Sequence, residues 1–293
     1  MPANHKNRVR ARGERSDGDV RRMTDDRPRG GSGPRWDAAP PLLEIEDLTM
    51  RFGGIVALEG VTFSVQRGRI TGLIGPNGAG KTTLFNCLSR IYRPERGDIR
   101  LNGQSLRRCA AADVAALGIG RTFQSPALFE SMSVLDNIKV GAHARGQSGP
   151  LADAVSLPFY RREERDLDAA ARAMLALVGL EDAAARPITS LALAARKRVE
   201  LARALAGGPS LLLLDEPAGG LNHGEVEELG GLFLAIRERL GTTVLLVEHH
   251  MGLVMKFSDQ VVALNFGRVI ADGAPDDVRG NPAVAEAYLG ARH

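Results

Sequence analysis

The segment Gly75-Pro76-Asn77-Gly78-Ala79-Gly80-Lys81-Thr82 places glycine, lysine and threonine at the spacing G-x-x-x-x-G-K-[ST]. Those residue types suit the holding of a phosphate chain. Glycines let consecutive backbone N–H groups turn inward around phosphate oxygens, and a helix starting there adds the positive end of its dipole. Lys81 brings a point charge to the β- and γ-phosphates, and the Thr82 hydroxyl can ligate Mg²⁺. Thr83 extends the same turn. The spacing alone is a weak signal. It becomes specific because a short apolar strand, Ile70–Ile74, precedes it and a helical stretch, 82–90, follows.

A second cluster completes a hydrolytic set. Leu211 to Leu214 is an unbroken apolar run ending in Asp215-Glu216. An aspartate at the end of a buried strand beside a phosphate loop can hold Mg²⁺, and the glutamate after it can act as general base on water. Alone, two acids after an apolar run are an ordinary charged turn. His249, just past the apolar run 243–247, could bond the γ-phosphate or orient the water. Taken alone it is a capping or surface histidine, which is the reading kept for His5, His143, His223, His250 and His293.

These residues need elements to carry them. Residues 42–65 alternate and are rich in β-formers, with a break at Phe52-Gly53-Gly54, which predicts antiparallel strands. A strand signal follows at 98–101, and a helical stretch at 110–117. Helices are predicted over 168–178, 196–205 and 225–240, the last despite Gly230 and Gly231. The runs 211–214 and 243–247 read as central strands of a parallel sheet. A hairpin is predicted for 261–264 and 268–271 around Phe266-Gly267, and a terminal helix near 283–289. Alternating strands and helices give an α/β core.

Composition sets limits on partners. The chain has 293 residues and a net charge of +3, but residues 1–35 hold ten Lys or Arg against five acids. The remainder is therefore slightly acidic, and the positive balance does not describe a nucleic-acid-binding domain. Residues 1–40 lack periodicity and read as a disordered basic tail. Its charge could touch anionic lipid headgroups, although an extension without function accounts for it as simply. Cys87 and Cys109 are too few for a disulfide scaffold and form no metal-binding spacing, so two reduced thiols are expected. No apolar run is long enough to span a bilayer, and no secretory signal is legible. Membrane attachment would come through partners.

Taken together, the phosphate loop, Arg121-Thr122-Phe123-Gln124, the segment 191–205, Leu214-Asp215-Glu216-Pro217 and His249 resemble the ABC ATPase cassette over about residues 42–290. The resemblance implies a P-loop NTPase parallel core with an antiparallel β subdomain and a helical subdomain inserted at roughly 125–206, the ordered domain running from 41 to 293. It implies ATP and Mg²⁺ as cofactors and ATP hydrolysis coupled to transport. Phe52 then stands where the family stacks a ring on adenine, unless it is a core residue. Gln124 would sense Mg²⁺ and the attacking water, joining Glu216 and His249 as catalytic residues and Thr82 and Asp215 as metal ligands. Residues 218–222 would communicate across an ATPase dimer.

A finer resemblance, to the ATP-binding subunits of branched-chain amino acid importers, rests on four motifs and an insert. The motifs are Arg121-Thr122-Phe123-Gln124, Pro217-Ala218-Gly219-Gly220-Leu221-Asn222, Glu248-His249-His250-Met251 and Ala287-Tyr288-Leu289-Gly290. The insert lies near Leu157-Pro158-Phe159-Tyr160-Arg161-Arg162. It implies two transmembrane permeases, a second and different ATPase subunit, an external binding protein acting indirectly, and a place on the cytoplasmic face of the inner membrane. Urea, amide or lipid systems, drug exporters, a regulatory cassette and a soluble ABC ATPase are the competing readings. One departure is plain. The family signature Leu-Ser-Gly-Gly-Gln is replaced by Leu191-Ala192-Leu193-Ala194-Ala195.

Overall fold

The computed structural model describes residues 40–123, 127–143 and 158–290. The basic tail, Gln124, Leu157 and the C-terminal residues 291–293 lie outside them.

Two sheets carry the chain. The first is antiparallel: β1 (Leu43–Phe52), β2 (Ile55–Val65), β4 (Arg96–Leu101) and β5 (Gln104–Ser105), in the order β2-β1-β4-β5. Its β1–β2 turn is the Phe52-Gly53-Gly54-Ile55 break, with Phe52 paired to Ile55 and Leu43 to Val65. The second holds β3 (Ile70–Ile74), β6 (Ile119–Arg121), β7 (Leu211–Asp215), β8 (Thr243–Val247), β9 (Gln260–Asn265) and β10 (Arg268–Gly273). Its order is β10-β9-β3-β8-β7-β6, parallel throughout except for the β9–β10 hairpin. Every residue of β3, β7 and β8 is buried, as a parallel strand covered on both faces requires.

Three apolar clusters flank the strands. One, with α1 (Lys81–Leu88), joins the antiparallel sheet to one face of the parallel sheet through Phe85, Leu88, Leu213 and Leu245. On the other face, Leu212, Leu214 and Leu246 pack with Phe233 of α5 (His223–Leu240) and Leu253 of α6 (Met251–Phe257). The third, beside β9, packs Val261 and Ala263 against Val278 of α7 (Pro275–Arg279) and Val284 of α8 (Pro282–Gly290).

Between β6 and β7 run α2 (Val134–His143), α3 (Pro158–Leu177) and α4 (Leu193–Ala206), which bury their own cluster of Val134, Ile138, Leu175 and Val199. Here α2 meets α4 almost backbone to backbone. A Cβ on Gly141 would lie 1.9 Å from the Arg203 carbonyl oxygen, so only glycine permits the approach.

Three local expectations change. Residues 110–117 form one 3₁₀ turn, Ala111–Asp113, and further turns, because Gly118 at φ 94° redirects the chain into β6. The strand β6 has three residues with Gly120 at its centre, too short to show periodicity. Helices α2 and α6 were not expected, since Gly141 and Gly252 interrupt segments of only ten and seven residues. Among the described residues no helix is long and apolar enough to cross a membrane.

Candidate functional site

The strands β3, β8, β7 and β6 are neighbours and run in the same direction, so their C-terminal ends meet along one edge. Ligands of open α/β sheets bind outside those ends. The residues singled out by sequence emerge there: the phosphate loop after Ile74, Asp215 and Glu216 at the end of β7, and His249 two residues past β8.

The phosphate loop opens a cavity of about 390 Å³ lined by residues 77–83, Ile55, Val56, Ala57, Glu216 and His249. Gly80 caps α1 at φ 103°, and a Cβ there would lie 2.7 Å from the Ala57 carbonyl oxygen, so the turn depends on glycine. The Lys81 ammonium folds back on the loop, donating to the carbonyl oxygens of Gly75 at 2.7 Å and Pro76 at 3.0 Å. Burial lowers its pKa, while Glu216 and then Asp215 oppose that shift. The loop is also held from behind, where the Gly75 N–H donates to the Tyr288 hydroxyl of α8 at 2.9 Å.

Asp215 and Glu216 diverge at the strand end. Asp215 is buried and its Oδ2 accepts from the Arg121 guanidinium at 3.1 Å. Arg121 is itself fixed by Asn86 Oδ1 and Ser89 Oγ, both at 2.9 Å, and lies over the Phe123 ring. Burial raises the Asp215 pKa, and Arg121 is the main influence against it. Glu216 adopts φ 49°, left-handed backbone that costs a non-glycine residue about 1–3 kcal/mol. Its N–H donates to the Val247 carbonyl. Its Oε1 accepts from His249 Nε2 at 2.7 Å. The cavity is thus lined by both a carboxylate–imidazole pair and the phosphate loop.

Thr82 is exposed on the first turn of α1, and with Asp215 it offers hydroxyl and carboxylate oxygen. Hard oxygen donors of this kind suit Mg²⁺ completed by phosphate oxygens and water. Phe52 is 42% exposed and sits edge-on to Tyr92 at 5.1 Å, so it is not a core residue; the apolar wall of the cavity is instead Ile55, Val56 and Ala57.

Sequence reasoning passed over several buried groups here. Arg121 stands in a motif, but nothing in the sequence marks it as the partner of Asp215. Glu200 of α4 accepts from the Phe123 N–H at 2.9 Å, and Arg203 donates to the Ala127 carbonyl at 2.6 Å, so one helix grips both flanks of positions 124–126. Glu248 is buried beside His249. A charged residue next to a motif gives no warning in sequence that its side chain points inward.

The family description "ABC transporter" matches residues 58–219, from β2 to the loop after β7. The chain belongs to the ABC transporter ATPase family. A second description, "Branched-chain amino acid ATP-binding cassette transporter", matches residues 268–293. The chain is 43% identical to the high-affinity branched-chain amino acid transport ATP-binding protein BraF of Pseudomonas aeruginosa, covering 85% of this chain and 98% of the relative. It is 41% identical to LivG of Escherichia coli, of the same description and coverage. An ATP-binding cassette of an ABC transporter solved in its ADP conformation superposes with a TM-score of 0.75 at 30% identity, over 86% of this chain and all of the other. As an ABC cassette the chain binds ATP and hydrolyses it to drive transport.

Proposed function

We propose that this cassette energises the import of branched-chain amino acids, docked with a second, different ATPase subunit on two permeases at the cytoplasmic face of the inner membrane. The match of residues 268–293 to the branched-chain amino acid cassettes carries that reading, together with the likeness of nearly the whole domain to branched-chain amino acid transport ATP-binding proteins. Substrate choice belongs to the permeases and an external binding protein.

In the hydrolytic cycle two cassettes close on two ATP molecules. Lys81 leaves the Gly75 and Pro76 carbonyls for the phosphates, and the backbone N–H groups of residues 77–83 cradle them. Thr82 and Asp215 would hold Mg²⁺, with Gln124 as a further ligand, and the bound ion would supply neutralisation of the charge on the phosphoryl oxygens. Glu216 takes the proton of the attacking water as general base. His249, already bonded to Glu216, orients it, and Gln124 positions the water. The exposed Phe52 ring is the candidate platform for adenine. Affinity isolation of the tagged chain from native membranes tests the assembly. Recovery of two hydrophobic permeases and a second ATPase is the expected result. Recovery of soluble or nucleic-acid-associated partners alone would contradict it.

A further inference from the structure

Glu216 and His249 sit on different loops, one after β7 and one after β8, yet their side chains meet at 2.7 Å. The β7–β8 ladder and the Glu216 N–H on the Val247 carbonyl tie the loops where they start, but the chain beyond needs a further tie, since Glu216 occupies left-handed backbone and both side chains line the cavity. The residue between β8 and His249 is suitably placed. Glu248 is 1% exposed, and its carboxylate is fully engaged with backbone donors. Its Oε1 accepts from the Ala218 N–H at 2.7 Å, two residues beyond Glu216. Its Oε2 accepts from the N–H groups of His249 at 3.0 Å and His250 at 3.3 Å.

We propose that Glu248 is a positioning residue of the hydrolytic centre: its carboxylate ties the loop after β7 to the loop after β8 and thereby sets the Glu216–His249 pair. The geometry supports this in three ways. The two oxygens divide between the two loops, so the side chain is a bridge and not a cap on one of them. The donors are backbone N–H groups, so the loops are fixed whatever their side chains do. The chain on the Glu216 side is further closed by the Gly219 N–H to the Glu216 carbonyl, which leaves the Ala218 N–H as the group that Glu248 can pull on. Charge-assisted bonds of this kind are short, strong and geometrically exacting.

The assignment rests on ATP hydrolysis at Glu216, and its test separates the two. Glu248→Gln keeps the shape of the side chain but turns one acceptor oxygen into a donor that confronts an N–H. Glu248→Asp keeps the charge and falls one methylene short, so it serves if the glutamine variant does not fold. Turnover of ATP and affinity for a fluorescent ATP analogue are measured on the full-length chain, alone and in the complex it is recovered with. Each variant is also combined with His249→Ala. Glu248→Gln is expected to lower kcat by about 10- to 100-fold, with ATP affinity changed by less than about 3-fold. In the His249→Ala background the same change should cost less than about 3-fold, because the pair it positions is already gone. Losses that multiply independently, or ATP affinity that falls in step with kcat, would overturn the role of Glu248. A wild-type chain without turnover in either form would overturn the hydrolytic reading itself.

Discussion

Glu216 is the residue on which the chemistry turns. It lines the cavity, touches His249 and is held in strained backbone, whereas Asp215 beside it is turned to Arg121. Glu216→Gln should therefore retain ATP binding and lose at least about 100-fold in turnover; near wild-type turnover would remove Glu216 from the base role. Arg121 and Asp215 make a different kind of pair, with both side chains about nine-tenths buried. Removing one partner of such a pair leaves an uncompensated charge and costs about 3–5 kcal/mol. Arg121→Met is expected to lower unfolding free energy by that order in urea titrations. Adding Asp215→Asn should restore part of the loss, since the stranded charge goes with it. An Arg121→Met loss below about 1 kcal/mol would mean that the pair contributes little.

At the scale of elements, α4 matters most, because it packs in two apolar clusters and its side chains grip the flanks of positions 124–126. Burial raises the pKa of Glu200, against the opposing Phe123 N–H and Arg203. An acid whose folded pKa is raised contributes stability below its unfolded value and loses it as pH rises through the folded value. Glu200→Gln does not titrate. The variant should thus gain on the wild type in stability as pH rises above about 4, the ordinary glutamate value, as read by denaturant titration at each pH; a constant difference would mean that burial does not shift Glu200.

The start of α4 holds the altered signature. Ala192 caps the helix with no side-chain hydrogen bond, and Leu193 is exposed beside Gly220. A serine hydroxyl at 192 would supply the missing acceptor for an N–H of the first turn, and glycine at 194 would let backbone approach a phosphate. In the proposed heterodimer this end would face the ATP held by the partner cassette, and the two sites would then be unequal. Ala192→Ser with Ala194→Gly should raise turnover of the assembled complex, and no rise would refute the inequality.

These elements also show what was legible in sequence. Helices α4 and α5, the second half of α3 and the buried strands β3, β7 and β8 announced themselves, because burial on both faces leaves mostly apolar runs; the first half of α3, from Pro158, did not. The phosphate loop, Asp215, Glu216 and His249 were legible as motifs, and their meeting followed from parallel strands ending at one edge. What escaped was short or inward: β6 with three residues, and the charged side chains of Arg121, Glu200 and Glu248. Their orientation depends on partners far away in sequence, as with Glu200 and Phe123, 77 residues apart.

At the scale of the molecule, the phosphate loop is held at its far side by Tyr288 and faces Glu216 and His249 across the cavity. The C-terminal segment that resembles the branched-chain amino acid cassettes is therefore mechanically joined to the nucleotide site. The most direct measurement is uptake of labelled leucine into vesicles carrying the complex isolated through this chain, with its external binding protein supplied outside. ATP is sealed on the cassette side, and wild type is compared with Glu216→Gln. The account predicts ATP-dependent uptake by the wild type and its loss in a Glu216→Gln complex of unchanged composition. Uptake that survives Glu216→Gln, or a wild-type complex that hydrolyses ATP without moving any branched-chain amino acid, would contradict it.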